Sequence, residues 1–345
     1  VYLFATITRV ILKKRGYARQ REDDSAMQYR KLGSSGAKVS YLCLGTMNFG
    51  GATDEAEGAR IIQHSMDAGV NFIDTANVYN QGRSEEITGK ALAGGRRQQI
   101  VLATKVHGKM GDGPNEQGNH RIHLFQQVEA SLRRLQTDYI DLYYLHRPDP
   151  DTRIEEEVRA MDDLVRQGKV RFYGTSHYAS WQIALGQSFA DRIGGHPWIV
   201  DQPRYSLLDR AIEQDVVPFC RYTSYGLVPH SPLAGGFLTG KYAQDAQPEA
   251  GTRAARQAGM LTSRSAAHWQ LLDRVKAVAA NHQASAGQVA VAWVLTRPWL
   301  SATIIGPRTL EQVEDNLGAA ELMLTPEEIN DLEQASAFAA QMARN

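Results

Sequence analysis

Cysteine is almost missing from this sequence. Only Cys43 and Cys220 occur in 345 residues, which excludes a disulfide framework and a multi-cysteine metal site and suits a reducing compartment, so a cytoplasmic location is expected. Net charge is missing too: Lys plus Arg and Asp plus Glu each number 38. No global field gathers nucleic acid or an anionic membrane, and neither partner is expected. What is present is 43% hydrophobic and 22% charged residues at a mean hydropathy of −0.39. That is enough apolar material for a sizeable core in a soluble globular protein. The length fits one large α/β domain, since such barrels run past ~250 residues as a single unit.

The first 26 residues stand apart. Val1 to Leu12 is apolar apart from Thr6, Thr8 and Arg9, and Lys13, Lys14, Arg15, Arg19 and Arg21 follow before Glu22, Asp23 and Asp24. The apolar stretch is shorter than the ~20 residues needed to span a bilayer. A secretory signal places its positive charges before the apolar run, the reverse of this order. Residues 1–26 therefore read as a dispensable extension, with a short membrane-surface or targeting segment as the alternative, and a single domain is expected over 27–345.

From Met27 the pattern becomes regular. Gln28 to Leu32 and Ala37 to Ser40 flank Gly33-Ser-Ser-Gly36 and read as a β-hairpin. Eight short apolar runs follow: Tyr41–Leu44, Phe72–Asp74, Ile100–Lys105, Tyr139–Leu145, Val170–Gly174, Trp198–Asp201, Gly226–Pro229 and Ala302–Ile305. Between them lie segments with apolar residues at three- and four-residue spacing, such as Glu57–Ala68, Ser84–Ala93, Leu124–Leu135, Ile154–Arg166, Ala211–Tyr222 and Gln288–Leu295. Strict strand-helix alternation demands a parallel sheet, and eight units point to a closed (β/α)8 TIM barrel with enlarged loops at its C-terminal face. An open dinucleotide-binding sheet wants G-x-G-x-x-G after its first strand, and Gly45-Thr-Met-Asn-Phe-Gly-Gly51 lacks that spacing. The segment Gly235 to Lys241 does not match a P-loop either.

In such a barrel the chemistry sits where the strands end. Asp74, Lys105 and His146 close the second, third and fourth runs, and Tyr79 follows shortly after the second. A buried lysine needs an anion nearby, and Asp74 on the adjacent strand is the natural one. An ammonium within ~4–6 Å of a phenol lowers its pKa from ~10, so Tyr79 is expected to be a tuned general acid, with His146 orienting a carbonyl oxygen. No serine, cysteine or metal cluster supplies a nucleophile. A hydride from a cofactor fits that gap.

Gly45-Thr-Met-Asn-Phe-Gly, Phe72-Ile-Asp-Thr-Ala-Asn-Val-Tyr79, Gly82-Arg-Ser-Glu-Glu-Ile, Leu102-Ala-Thr-Lys105, Asp138-Tyr-Ile-Asp-Leu-Tyr-Tyr-Leu-His146, Ser231-Pro-Leu-Ala-Gly-Gly236 and Ile304-Ile-Gly-Pro-Arg308 together resemble the aldo-keto reductase superfamily, in its bacterial, longer-loop branch. The resemblance covers nearly everything from Met27 to about Gln334. It implies a catalytic tetrad of Asp74, Tyr79, Lys105 and His146 that reduces an aldehyde or ketone, with hydride from a nicotinamide and a proton from Tyr79. It also implies that Ser176, His177 and Gln202 meet the carboxamide, that the loop from Ser231 through Leu233 and Gly235 to Lys241 wraps the pyrophosphate, and that Arg308 pairs with the 2′-phosphate. Gln312 and Asn316 would flank the adenine, and Thr46, Met47, Asp74, His230 and Gly306 complete the implied cofactor set. An arginine fork suits phosphate, so NADPH is expected over NADH.

Two positions depart from the family pattern. His177 stands where asparagine is common, and His230 stands where an aromatic ring usually stacks on the nicotinamide; somewhat weaker cofactor binding is expected from both. The rim loops 108–119 and 244–262, with Phe49, His107, Arg147 and Tyr178, are expected to shape the substrate pocket. His120 and His123 have no evident third ligand and read as surface residues, so no metal is expected. The same resemblance leaves open an NADP(H)-binding regulatory subunit like the potassium-channel β subunits, an NADP⁺-dependent alcohol or sugar dehydrogenase, and a homo-oligomer.

Overall fold

The computed structural model describes residues 27–244, 247–249, 251–257 and 259–341. The expected extension at residues 1–26 lies outside the described residues.

A two-stranded hairpin, β1 (Tyr29–Lys31) and β2 (Lys38–Ser40), precedes eight parallel strands. These are β3 (Leu42–Gly45), β4 (Phe72–Asp74), β5 (Val101–Val106), β6 (Ile140–Leu145), β7 (Val170–Thr175), β8 (Val200–Asp201), β9 (Gly226–Leu227) and β10 (Thr303–Ile305). They pair in the order β10-β3-β4-β5-β6-β7-β8-β9. Single bridges from Leu227 to Leu300 and from His230 to Ile304 join the two ends, with Ile304 N donating to Pro229 O at 2.9 Å. The sheet thus closes into the (β/α)8 barrel that the alternation predicts.

The described helices are α1 (Glu55–Asp67), α2 (Arg83–Ala91), α3 (Arg121–Leu135), α4 (Ile154–Arg166), α5 (Ser180–Arg192), α6 (Val216–Thr223), α7 (Arg253–Arg256), α8 (Ala266–His282), α9 (Ala286–Leu295), α10 (Leu310–Gly318), α11 (Pro326–Ala335) and α12 (Ala337–Ala340). Helix α4 has the bounds its pattern predicts, with acids in its first turn and Arg166 in its last, as the macrodipole favours. The segment 211–222 differs from expectation: a 3-10 turn over Ala211–Gln214 precedes α6, and Asp215 between them leaves helical geometry.

Two apolar layers hold the barrel. Alternate strand residues face inward, so Cys43, Phe72, Ala103, Leu142, Tyr144, Val200, Val228, Ala302 and Ile304 fill the interior. Their neighbours Leu44, Ile73, Leu102, Tyr143 and Leu145 pack outward in the layer under the helices. Leu32 and Val39 of the hairpin join the interior cluster. The hairpin closes the end where β8 and β9 begin: Gly33, at a φ of +55°, lies so close that a Cβ there would stand 1.9 Å from Ile199 O. Only glycine tolerates both that conformation and that approach. The opposite end, where the strands finish, stays open.

Candidate active site

Period-two alternation decides which side chains reach the open end. Asp74 follows the inward Phe72 by two residues, Lys105 follows Ala103, His146 follows Tyr144, Gln202 follows Val200 and His230 follows Val228. Each therefore points up the barrel axis from a different strand. Thr46 has the opposite parity, one residue after Gly45, and turns away.

At the centre, Lys105 is 0% exposed. Its Nζ forms an ion pair with Asp74 Oδ1 and donates to Thr75 O at 2.9 Å and to the Tyr79 hydroxyl oxygen at 3.2 Å. Gln202 Nε2 donates to the other carboxylate oxygen, Asp74 Oδ2, at 2.9 Å. Tyr79 opens a 3-10 turn in which Asn80 and Gln81 adopt left-handed φ of 46° and 55°. Asn80 Nδ2 ties that turn to the loop after β3, donating to Met47 O at 3.1 Å and Phe49 O at 2.7 Å. The His146 ring stands edge-on to Tyr79 with centroids 5.7 Å apart.

Burial governs the titrations here. It pushes the Tyr79 phenol above its ordinary value, and the opposing pull of Lys105 is smaller. This corrects the expectation of a lowered pKa: the lysine acts in the expected sense, but desolvation outweighs it. Lys105 is held above its usual value because Asp74 and Tyr79 outweigh its burial. Burial, then Lys105, drives His146 well below the ordinary histidine range. Burial thus favours a neutral phenol and a neutral imidazole beside the Lys105–Asp74 pair.

These groups meet a cavity of about 1320 Å³, lined among others by Met47, Asp74, Tyr79, His146, Ser176, His177, Gln202, His230, Ser231, Leu233, Gly235, Lys241, Gly306, Arg308, Gln312 and Asn316. The sequence-predicted set is thus brought together with few exceptions. Lys105 lies behind Tyr79 and Asp74. Thr46 is off the cavity, its Oγ1 bonded to Asp74 O at 3.2 Å and Ser84 Oγ at 2.8 Å. Of the residues expected in the substrate pocket, Arg147 lines the cavity, and the other three do not. Phe49 is buried against α1 and α2, close to Gly58. The His107 ring turns back to Asn119 Oδ1 at 3.1 Å, and the Tyr178 hydroxyl turns down to Glu157 at 2.9 Å. His123, expected at the surface, is fully buried behind the His120 ring that accepts its backbone N–H.

The histidine pair makes its own contact. His177, at a φ of +63°, brings its Nε2 within 3.0 Å of His230 Nε2, and His230 Nδ1 lies 2.9 Å from Ser231 Oγ. Burial and His177 push His230 well below the ordinary histidine range. Beyond the pair, Ser231, Ala234, Gly235 and Gly236 all take left-handed φ, the geometry in which successive backbone N–H groups form an anion-binding concavity. Lys241 folds over this loop, its Nζ 3.1 Å from where a Cβ on Gly236 would stand. Arg308 Nη1 donates to Gly251 O at 2.8 Å and its backbone N–H to Gln312 Oε1 at 2.9 Å. The structure adds cations that the sequence reading did not single out, Arg204, Arg253 and Arg256. The spacing of Arg253 and Arg256, one turn apart on α7, was the signal available for two of them.

The model of the aldo/keto reductase family matches residues 41–337. The chain belongs to that family. An uncharacterised oxidoreductase of Bacillus subtilis is 41% identical over 311 residues, covering 87% of this chain and 93% of that protein. A probable voltage-gated potassium channel subunit beta of Oryza sativa is 38% identical over 315 residues, covering 89% and 96%. The versiconal hemiacetal acetate reductase of Aspergillus parasiticus is 34% identical over 333 residues, covering 89% and 96%. In this aldo/keto reductase no helix among the described residues is long and apolar enough to cross a membrane.

Proposed function

We propose that the protein reduces an aldehyde or ketone to the alcohol with NADPH, using Asp74, Tyr79, Lys105 and His146. The observation that carries this reading is the chain from buried Asp74 through Lys105 to the Tyr79 hydroxyl, which ends on the cavity wall beside His146. Burial keeps Tyr79 protonated and so loaded as a donor. As the proton passes to a carbonyl oxygen, the Lys105 ammonium at 3.2 Å stabilises the phenolate left behind. Asp74 keeps Lys105 charged, and the neutral His146 offers an N–H to orient the carbonyl.

The cavity suits a dinucleotide together with a substrate, because its volume exceeds the ~1,000 Å³ upper range of ordinary small-molecule pockets. When bound, NADPH supplies the hydride. Ser176, Gln202 and His177 would hold its carboxamide, with His230 beside the ring. Backbone N–H groups from Ser231 through Leu233 to Gly236, with Lys241, would receive the pyrophosphate. Arg308 would take the 2′-phosphate, with Arg253 and Arg256 adding charge, and Gln312 and Asn316 would take the adenine, while Met47 and Gly306 close the wall.

A second reading is a cofactor-binding regulatory subunit, favoured by the resemblance to proteins named as potassium channel β subunits. Loss of NADPH absorbance against a panel of aromatic aldehydes, sugars and diketones, run also in reverse with alcohols and NADP⁺, separates the two. Tyr79→Phe is expected to lower kcat by about 10²–10⁴-fold with NADPH binding retained. Equal, slow oxidation by wild type and Tyr79→Phe on every substrate would overturn the enzyme reading.

A further inference from the structure

Glu157 does not behave like its neighbours. Glu155, Glu156 and Glu157 all occupy the first turn of α4, where acids are stabilised by the helix dipole. Glu157, however, is 1% exposed. Its hydrogen-bonding partners are neutral: Asn119 Nδ2 donates to Oε1 at 2.7 Å, and the Tyr178 hydroxyl lies 2.9 Å from both carboxyl oxygens.

Those partners lead to three loops of the open rim. Asn119, at the end of the loop after β5, also donates through Nδ2 to Arg147 O at 2.9 Å and faces His107 Nδ1 at 3.1 Å. Its backbone N–H reaches Asp149 Oδ2 at 2.7 Å. His107 comes two residues after Lys105, Arg147 comes directly after His146, and Tyr178 comes directly after His177. Arg147, Pro148 and His177 line the cavity. One buried carboxyl therefore joins the exits of β5, β6 and β7 just below the cavity wall.

We propose that Glu157 is a positioning residue whose carboxyl clamps these loops and sets the wall of Arg147, Pro148 and His177 that receives the carbonyl substrate. The proposal rests on the carbonyl-reductase reading for the substrate, but not for the clamp. Burial raises Glu157 to about 8, and Asp149 from the β6 loop and Glu156 on its own helix add to the rise. His107 from the β5 loop, whose own pKa burial lowers with Arg147 of the β6 loop adding to the fall, and Tyr178 from the β7 loop also face the network. The carboxyl accepts from the Tyr178 hydroxyl and from Asn119 Nδ2, which also donates to the Tyr178 oxygen at 3.2 Å. Above that value a buried carboxylate faces Asp149 and Glu156 with neutral donors only, and the wall loosens.

The test uses the full chain with Glu157→Gln, which keeps the shape and removes the titration, and Glu157→Leu, which removes the clamp. In histidine ring NMR spectra, wild type is expected to show an inflection near pH 8 for His177 and His107 that Glu157→Gln lacks. In carbonyl-dependent NADPH oxidation, wild-type KM is expected to rise above that pH while that of Glu157→Gln stays level. Glu157→Leu, if its thermal transition shows it folded, is expected to raise KM about tenfold, the scale of one buried hydrogen bond to an ionisable group, with kcat changed less than about twofold. Persistence of the NMR inflection in Glu157→Gln, or wild-type KM in folded Glu157→Leu, overturns the proposal. If neither wild type nor Tyr79→Phe turns over any carbonyl, the reductase reading has failed, and the NMR comparison alone decides the clamp.

Discussion

Gln202 donates its side-chain N–H to Asp74 Oδ2 at 2.9 Å, on the opposite carboxylate oxygen from Lys105. A residue assigned by resemblance to the carboxamide is thus also a partner of the buried acid Asp74. Burial already raises Asp74 above its ordinary value against the pull of Lys105 and Gln202. Replacing Gln202 with leucine removes one of those two supports. Gln202→Leu is expected to cost about 1–3 kcal/mol of stability in urea titrations, the scale of leaving a buried acceptor unsatisfied. It is also expected to lower kcat/KM by an order of magnitude or more, whereas Gln202→Glu, which adds a second acid beside Asp74, should be worse in kcat.

Lys105 gives a contrasting case. Its ammonium and the Asp74 carboxylate are both buried, at 0% and 1% exposure. Lys105→Met leaves the carboxylate without its cation, and breaking a buried pair in this way costs about 3–5 kcal/mol. The expected outcome is a lower denaturant midpoint together with loss of turnover. Lys105→Met with Asp74→Asn should recover much of the stability and none of the activity, because the neutral pair no longer strands a charge and no cation faces the Tyr79 phenolate. Recovery of activity in the double variant would contradict the role given to Lys105.

Arg308 bonds to Gly251 O through one nitrogen of its guanidinium. The remaining donors suit a phosphate fork. Arg308→Ala is expected to weaken NADPH binding by about 10–100-fold, from the loss of a charge-assisted contact of about 1.5–3 kcal/mol, and to change NADH binding little. Fluorescence titration with both cofactors checks this. Equal loss for the two would assign Arg308 to holding Gly251 instead.

His146 and His230 are both pushed well below the ordinary histidine range, first by burial. The unfolded chain therefore binds protons at these positions, near pH ~6.5, before the native state does. Stability from this source is fully present above that pH and falls as the pH drops below it. Glu157, whose folded value is raised, works in the opposite sense between its ordinary range and about 8, so the comparison must be between variants. Across melts from pH 8 to 5, His230→Tyr is expected to lose less stability than wild type. The larger ring should also tighten NADPH binding, and unchanged affinity would remove the stacking role of position 230.

The barrel was readable because its signals are local. Each of the eight apolar runs became a strand with bounds moved by a residue or two, and Ile154–Arg166 emerged as written. Asp74, Lys105 and His146 stood at strand ends, where side chains of a parallel barrel converge, and Tyr79 stood in the turn that follows one of them. Phe49, His107 and Tyr178 also stood near strand ends, yet their side chains leave the cavity for Gly58, Asn119 and Glu157. Nothing in the spacing of those residues marks the difference, since it depends on which neighbour fills the space first. Arg253 lies on the short helix α7, far along the chain from the tetrad, and reaches the cavity beside Gly235.

Alone, the amino-acid sequence determined the closed α/β architecture, the family and the four groups gathered at the open end. Period-two alternation and strand order are enough to aim side chains from separate strands at one point. Tertiary structure decided the protonation of that group, because desolvation depends on everything packed around it: the Tyr79 phenol is raised where the Lys105 charge alone would lower it. It also decided that Glu157, one of three consecutive acids on α4, is the one turned inward to join three loops. A helix places that residue on the buried face, but only the packed loops of β5, β6 and β7 supply the partners that keep it there.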